Sequence, residues 1–264
     1  VCTVSSGYSR LAQGEFSKIH GILQTLQPAL VYGSDATVYG APLVGCGVEG
    51  LVAVFSQGAD QHAGALPFNQ LLATAETPAV RAAFDAVTPD THAKYLLTSG
   101  STGHPKVVIN THRMLCANQQ MIAQTLRFLE HDKPVLLDWL PWSHTFGGNH
   151  NVNMVLRNGG TMYIDDGKPL PGAIDKTLAH LRQVQPTVYF NVPRGFDLLL
   201  PFLEKDPALR RNFFRDLDML FYAGAALPQN LWDALEELSI KTVGRALPMV
   251  SAWGSTETSP LATD

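Results

Sequence analysis

Apolar residues recur along this chain with two different spacings, and these spacings predict where helices and strands lie. Apolar positions three and four residues apart predict amphipathic helices over 10–26, 66–73, 78–86, 111–129, 151–157, 174–184, 196–203 and 231–238. Short apolar runs bounded by Gly or Pro predict strands over 29–32, 51–55, 95–97, 107–109, 135–140, 161–164, 187–190, 217–222 and 249–253. Strands and helices that alternate in this way predict an α/β fold of layered, mostly parallel sheets flanked by helices.

The same alternation bears on domain organisation and on where a ligand would bind. We expect two interleaved α/β lobes over approximately 1–150 and 151–264, and the sequence contains no obvious linker or internal repeat. In open α/β sheets, ligands bind outside the carboxyl ends of the strands. The polar, glycine-rich segments that follow predicted strands are therefore the candidate site segments.

The segment from Tyr95 to Asn110 is the richest of these in potential ligand groups. Two apolar runs enclose a loop in which Gly100 and Gly103 allow close approach to the backbone, and Lys106 adds a mobile positive charge. Four hydroxyl side chains lie in the loop: Thr98, Ser99, Ser101 and Thr102. Backbone N–H groups, hydroxyls and one ammonium group together suit a polyphosphate, so the segment predicts a phosphate-binding hairpin.

A Walker-type P-loop is the obvious alternative for this segment, and the sequence argues against it. That motif needs Gly-Lys-Ser/Thr at the start of a helix. Here Pro105 separates Gly103 and His104 from Lys106, and the residues that follow favour a strand.

Composition restricts the remaining function classes. The 264 residues are 45% hydrophobic and 16% charged, which is ample for a buried core. The net charge of −4 gives no support to nucleic-acid binding, and no apolar run approaches the length of a membrane span. Cys2, Cys46 and Cys116 are odd in number and far apart, which favours a reducing, cytoplasmic location.

The loop also resembles a known family. The nine residues Thr98–Lys106 are similar to the phosphate-binding signature of the adenylate-forming enzymes, which include the acyl- and aryl-CoA synthetases. The resemblance implies the large N-terminal domain of these enzymes, with ATP or AMP, Mg²⁺ and CoA as cofactors and a small carboxylic acid as substrate. It places the phosphates against Thr98, Ser99, Gly100, Ser101, Thr102, Gly103 and Lys106.

Two later segments, 140–148 and 189–196, resemble the acid pocket of the same family. The resemblance implies that these residues line that pocket: His144, Phe146, Gly147, Asn191, Val192 and Pro193. It places His144 near the carboxylate that is activated. From the residues alone, a packed turn is slightly favoured for His144, and Asn191 is equally consistent with a strand-to-helix cap.

The segment 221–228 follows a predicted strand and contains small residues, which allow a flat ring to lie against the backbone. It is similar to the adenine-binding strip of the family, with Gly224, Ala225 and Ala226 as contact positions, and Gly224 also borders the acid. A plain tight turn remains an alternative.

The segment 251–258 is similar to the Tyr-Gly-x-Thr-Glu motif of the family, with Trp253 in the position of the tyrosine. An indole can stack on adenine or border the acid, but it lacks the phenol hydroxyl. The resemblance implies nucleotide contacts by Trp253, Gly254 and Thr256, with Thr256 at the α-phosphate. It also implies that Glu257 holds Mg²⁺.

The resemblance implies a two-step reaction. A carboxylate oxygen attacks the α-phosphorus of ATP, pyrophosphate leaves, and the CoA thiol then attacks the acyl-adenylate. The groups assigned to this chemistry are Lys106, His144, Thr256 and Glu257. His144 is expected to orient or gate, because a carboxylate is already ionised at neutral pH.

The segments around Trp142 and Phe190 look most like those of feruloyl-CoA synthetases, which implies a hydroxycinnamate such as ferulate. Another acyl-CoA synthetase, for a benzoate or a fatty acid, is the alternative. A non-catalytic nucleotide-binding remnant also stays open, although retention of Lys106 and Glu257 argues against it. A serine hydrolase using Ser99 or Ser101 is disfavoured because the sequence has no Gly-x-Ser-x-Gly elbow.

The chain starts at Val1 without a Met and stops at Asp264. The ribose-binding Thr-Gly-Asp segment of the family, its hinge and its C-terminal domain with a catalytic lysine have no counterpart here. We therefore expect a fragment that binds nucleotide weakly and is nearly inactive by itself.

Overall fold

The computed structural model describes residues 1–8, 15–98 and 105–263. The chain forms two compact units. One consists of Val1–Thr91 with Tyr95–Val108, and the other of His92–Lys94 with the chain from Ile109 onward. The division thus lies at the predicted hairpin, whereas the expected lobe boundary was near residue 150. The reason is that strands on both sides of residue 150 belong to the same parallel arrangement in the second unit.

The first unit contains a parallel sheet in the order β1-β2-β3. Its strands are β1 (Leu30–Asp35), β2 (Val52–Gln57) and β3 (Leu66–Pro67), and its helices are α1 (Ser17–Leu26), α2 (Ala36–Tyr39), α3 (Phe68–Leu72) and α4 (Pro78–Asp85). Ile19 and Leu23 of α1 are buried with Cys46, and Phe55 of β2 is buried with Ala36 and Ala53. The helix predicted over 66–73 starts two residues late, because Leu66 and Pro67 pair with β2.

The hairpin strands β4 (His92–Thr98) and β5 (Lys106–Thr111) pair with each other, as the sequence predicts. The ends next to the connecting loop belong to the first unit and the opposite ends to the second. The loop residues 99–104 lie outside the described part of the chain.

The second unit is built from parallel strands and covering helices. Strands β6 (Val135–Asp138) and β7 (Thr161–Ile164) pair in parallel, and β8 (Val188–Asn191), β9 (Met219–Tyr222) and β10 (Met249–Ser251) form a parallel sheet in the order β10-β9-β8. Its helices are α5 (His112–Thr125), α6 (Val152–Asn158), α7 (Ile174–Leu181), α8 (Pro193–Lys205), α9 (Pro207–Phe214) and α10 (Gln229–Val243). A short antiparallel pair, β11 (Trp253–Gly254) and β12 (Leu261–Thr263), ends the described chain.

Alternate residues of β8 and β9 enter two different hydrophobic clusters. Tyr189 and Leu220 pack with α7 to α10, whereas Phe190 and Phe221 pack with Phe146 and the residues of α5 and α6. Successive side chains of a strand point to opposite faces, so both faces of this sheet are buried. Burial on both faces is typical of parallel sheets and explains the continuous apolar runs of these strands in the sequence. The predicted α/β class with parallel sheets flanked by helices is confirmed.

Two local features were not predicted. Helix α9 begins after Asp206, whose carboxylate accepts hydrogen bonds from the N–H groups of Ala208 and Leu209 at 3.0 Å each. The Asp-Pro pair was a recognisable helix start that the apolar spacing did not reveal. A turn of π-helix at Phe146–Asn151 precedes α6.

Candidate active site

A cavity of about 930 Å³ opens in the second unit at the carboxyl ends of its parallel strands. Segments that follow β6, β8, β9 and β10 all contribute to its lining, as expected for a ligand site in an α/β sheet. The volume is within the range of small-molecule and cofactor sites. Among the residues predicted for ligand binding, these line the cavity: His144, Phe146, Val192, Gly224, Ala225, Ala226, Trp253 and Gly254.

The segment after β9 forms a flat, exposed shelf on one side of the cavity. Gly224 has φ of +91°, a left-handed conformation that L side chains rarely adopt, and an added Cβ would lie 3.7 Å from Val192. Ala225 and Ala226 are exposed and also line the cavity. Since these side chains are small, a planar ring can approach the backbone closely here.

Aromatic side chains line another part of the cavity. Phe146 packs against Phe190 and Phe221 with ring centroids 6.1 and 5.7 Å apart. Trp253, which stands in the tyrosine position of the family motif, is 68% exposed at the edge strand β11.

His144 presents a defined tautomer when it is neutral. Its Nδ1 accepts a hydrogen bond from the backbone N–H of Phe146 at 3.2 Å, so the ring proton resides on Nε2. Partial desolvation of the ring lowers the pKa of His144, although the residue as a whole remains exposed. The ring can therefore donate a hydrogen bond from Nε2 to a ligand oxygen.

Three residues predicted for the acid pocket lie outside the cavity lining. Asn191 is buried, and its Oδ1 accepts hydrogen bonds from Trp139 Nε1 at 3.2 Å and from the Val192 N–H at 2.9 Å. A Cβ on Gly147 would meet the carbonyl oxygens of Leu140 and Pro141 at 2.7 Å each, so this glycine serves close backbone packing. Pro193 is the first residue of α8.

Thr256 and Glu257 lie on a 3-10 turn between β11 and β12, outside the lining of this cavity. The turn is closed by a capping box in which the Ser255 side chain accepts from the Thr258 N–H and the Thr258 hydroxyl accepts from the Ser255 N–H. The Glu257 side chain is exposed, and its carboxylate oxygens are suitable Mg²⁺ ligands together with phosphate oxygens and water.

The remaining predicted phosphate contacts belong to the first unit or lie outside the described residues. Thr98 ends β4 and is half-buried, and Lys106 begins β5 and is exposed. The others lie outside the part of the chain that the structure describes: Ser99, Gly100, Ser101, Thr102 and Gly103.

A buried polar chain beside the cavity was missed from the sequence. Asn151 Nδ2 donates to Asp138 Oδ2 at 2.9 Å, and His150 Nδ1 lies 2.9 Å from Asn151 Oδ1. Burial raises the pKa of Asp138 to about 6 and lowers the pKa of His150 to about 4. The signal was the polar run Asn149-His150-Asn151, which lies between the aromatic motif and the helix predicted over 151–157.

Asp165, Asp166 and His180 also place ligand-type atoms within 4.8 Å of one another. Their oxygens already have protein partners, however. Asp165 accepts from the Thr177 hydroxyl at 2.5 Å and lies 2.8 Å from His180 Nδ1, and Asp166 pairs with Lys176 at 2.5 Å. We interpret this cluster as a structural anchor for α7.

One cavity at the end of a parallel α/β sheet thus combines a small-residue shelf with an aromatic, histidine-containing wall, an arrangement typical of small-molecule sites in α/β proteins. The AMP-binding enzyme family matches residues 42–264, and the chain belongs to this family. Within the described residues, no helix is both long and apolar enough to cross a bilayer.

Known relatives agree with this assignment. The chain is 30% identical over 123 residues to the long-chain-fatty-acid–CoA ligase heimdall of Drosophila melanogaster. The aligned region covers 47% of this chain and 18% of that ligase. It is 25% identical over 172 residues to the 3-hydroxybenzoate–CoA/4-hydroxybenzoate–CoA ligase of Thauera aromatica, covering 65% of this chain and 30% of that ligase. The chain thus spans less than a third of the length of these two relatives.

The fold is similar to that of solved family structures. The McyG A-PCP complex with phenylalanyl-adenylate superposes with a TM-score of 0.71 at 18% identity, covering 98% of this chain and 44% of that chain. These similarities agree with membership of the AMP-binding enzyme family. The specific resemblance to feruloyl-CoA synthetases stays a prediction.

Proposed function

We propose that this chain is the nucleotide- and acid-binding part of an AMP-forming acid–thiol ligase for an aryl carboxylic acid, of the hydroxycinnamate type such as ferulate. The observation that supports the proposal most is the shared cavity, in which a small-residue shelf and an aromatic wall with His144 lie side by side. A planar base and an aryl acid need these two surfaces next to each other, because the carboxylate must meet the α-phosphorus.

The proposed reaction proceeds in two steps without a covalent enzyme intermediate. A carboxylate oxygen forms a bond to the α-phosphorus of ATP, and the bond to pyrophosphate breaks. The CoA sulfur then bonds to the acyl carbon, AMP leaves, and the thiol proton passes to solvent. Catalysis rests on positioning two anions in line and on offsetting the charge of the leaving group.

Individual residues have proposed roles in this scheme. Nε2–H of His144 orients the acid carboxylate, and Gly224, Ala225 and Ala226 carry the adenine. Thr256 contacts the α-phosphate and Glu257 holds Mg²⁺, which supplies positive charge against the phosphates when it is bound. Lys106 pairs with the phosphate oxygens from the hairpin.

A second candidate is a ligase for a benzoate or a fatty acid. The names of the relatives favour it, since they are a hydroxybenzoate and a long-chain-fatty-acid ligase. The aromatic wall of the cavity supports an aryl acid over an acyl chain, and does not decide between a benzoate and a hydroxycinnamate.

Thermal shift with a panel of acids tests the substrate class. Ferulate, 4-hydroxybenzoate and palmitate are each added with AMP, and AMP alone is the control. A ligand at about 100 times its Kd stabilises the folded state by about 2.7 kcal/mol, which raises Tm by about 5–10 °C in a protein of this size. We expect the largest rise with ferulate. The largest rise with palmitate would support the fatty-acid alternative.

Acid-dependent release of pyrophosphate from ATP then tests the chemistry. It is measured on this chain joined to the C-terminal domain of a related ligase, because the chain by itself is expected to be nearly inactive. Glu257→Gln and Lys106→Ala are expected to reduce this release at least about 100-fold. Neither change is expected to alter the rise in Tm that an acid causes in the presence of AMP. Binding of nucleotide without any acid-dependent release would favour a non-catalytic protein.

A further inference from the structure

The imidazole of His150 lies at the wall of the cavity inside an aromatic cage. It is only 2% exposed, yet it contributes to the cavity lining. The rings of Phe146, Phe190 and Phe221 surround it, with centroids 5.8, 5.2 and 5.3 Å from the centroid of His150. Burying a polar group in such surroundings costs free energy unless the group has a hydrogen-bond partner.

The neighbours of His150 determine which of its nitrogens carries the proton. At neutral pH, above its pKa of about 6, the Asp138 carboxylate can only accept, so the Asn151 amide nitrogen points at it and the Asn151 oxygen points at His150 Nδ1. His150 therefore donates from Nδ1, and its Nε2 carries a lone pair. In the described parts of the chain, no group forms a hydrogen bond to this Nε2.

The two histidines of the cavity thus have opposite polarity. His144 accepts at Nδ1 and can donate from Nε2, whereas His150 donates from Nδ1 and can accept at Nε2. Burial holds the pKa of His150 at about 4, so its Nε2 stays an acceptor at neutral pH. The cavity therefore offers a donor for a carboxylate and, separately, an acceptor for a hydroxyl group.

We propose that His150 Nε2 accepts a hydrogen bond from the ring hydroxyl of the aryl acid, and that this contact selects hydroxylated acids over unsubstituted ones. The proposal rests on the proposed function, because it takes the cavity to be the acid site. Asp138 and Asn151 act as positioning residues, since they hold the tautomer that leaves Nε2 free.

Equilibrium binding of three matched acids to the chain, saturated with AMP, tests the proposal. The acids are 4-hydroxycinnamate, cinnamate and 4-methoxycinnamate, of which only the first can donate from its ring substituent. An unsatisfied buried acceptor costs enough to weaken binding on the order of 10–100-fold, so we expect both analogues to bind that much more weakly. This comparison uses the unmodified chain and does not depend on any variant folding.

Two variants then separate the two ends of the acid. His150→Phe keeps a ring among the aromatic side chains but removes the acceptor, and is expected to bring the three affinities within about threefold of one another. His144→Phe is the matched control, since it should weaken binding of all three acids and preserve the preference for 4-hydroxycinnamate.

The outcomes distinguish this inference from the proposed function. Equal binding of the three acids to the unmodified chain, or an unchanged preference in His150→Phe, would overturn the role of His150 alone. Binding of AMP without binding of any aryl acid would overturn the proposed acid site and the role of His150 with it.

Discussion

Single buried polar residues decide much of the chemistry of this protein. Asp138 and His150 are 4% and 2% exposed. Desolvation raises the pKa of Asp138 and lowers the pKa of His150, and both shifts favour the neutral form of the side chain. Hydrogen bonds through Asn151 and to the Leu140 N–H moderate the shift of Asp138. The cost of burying the two ionisable groups is thus reduced because both can be uncharged.

These shifts predict opposite effects of pH on the stability of two variants. The pKa of Asp138 is raised from 3.8 to about 6, so its contribution to stability is full at low pH and is lost as the pH rises through 6. The pKa of His150 is lowered from 6.5 to about 4, so its contribution is full above pH 6.5 and is lost as the pH falls through 4.

As the pH rises from 4 to 6, the free energy of unfolding of Asp138→Asn is therefore expected to increase by about 3 kcal/mol relative to the wild type. As the pH rises from 4 to 6.5, that of His150→Phe is expected to decrease by about 3 kcal/mol relative to the wild type. Urea unfolding at pH 4, 5, 6 and 7 measures both differences. The same pH trend in the two variants would contradict the assignment of these pKa values.

At the scale of elements, the junction from β8 to α8 fixes one wall of the cavity. Asn191 ends β8, and its side chain fills the space that Gly195 leaves in the first turn of α8. An added Cβ on Gly195 would lie 1.9 Å from Asn191 Oδ1. Since this oxygen also accepts from Trp139, which lines the cavity, the glycine indirectly positions an indole at the site.

Gly195→Ala is expected to destabilise the protein by about 1–3 kcal/mol, because the methyl group must displace Asn191. Gly21→Ala is the matched control. Gly21 lies within α1, where an added Cβ meets nothing within 4 Å, and alanine there should stabilise by about 0.5–1 kcal/mol. Thermal unfolding measures both changes. A neutral Gly195→Ala would show that Asn191 has room to move.

At the scale of the whole molecule, burial is distributed unevenly between elements. Every residue of β8 is buried, with β9 and the helices α7 to α10 packed around the same cluster. Helix α4 has no buried residue, and its Phe84 is 66% exposed. Local opening requires less free energy where fewer apolar contacts are broken.

Hydrogen exchange is therefore expected to be slower in β8 than in α4 by at least about 100-fold after correction for intrinsic rates. Helix α1, which buries Ile19, Ile22 and Leu23, serves as an internal reference with intermediate protection. Mass spectrometry of peptic peptides measures all three. Equal protection of α4 and β8 would contradict the distribution of burial described above.

The sequence by itself was enough to predict the type of most elements and the α/β class. Apolar periodicity is a local property, and runs such as 187–190 and 217–222 keep it because they are buried on both faces. It also indicated where to look for ligands, since segments after parallel strands share one edge of a sheet. His144, Gly224 and Trp253, far apart in the sequence, meet in one cavity for this reason.

Tertiary structure alone decided how the polar side chains are used. Asn191 matches a pocket motif, but its side-chain oxygen accepts hydrogen bonds from Trp139 and Val192. No role was predicted for His150 from the sequence, but its tautomer depends on Asp138, twelve residues earlier on another element, through Asn151. The periodicity of a segment reports its burial, whereas the partner of a buried polar group comes from another element, so only the folded chain determines which nitrogen or oxygen faces a ligand.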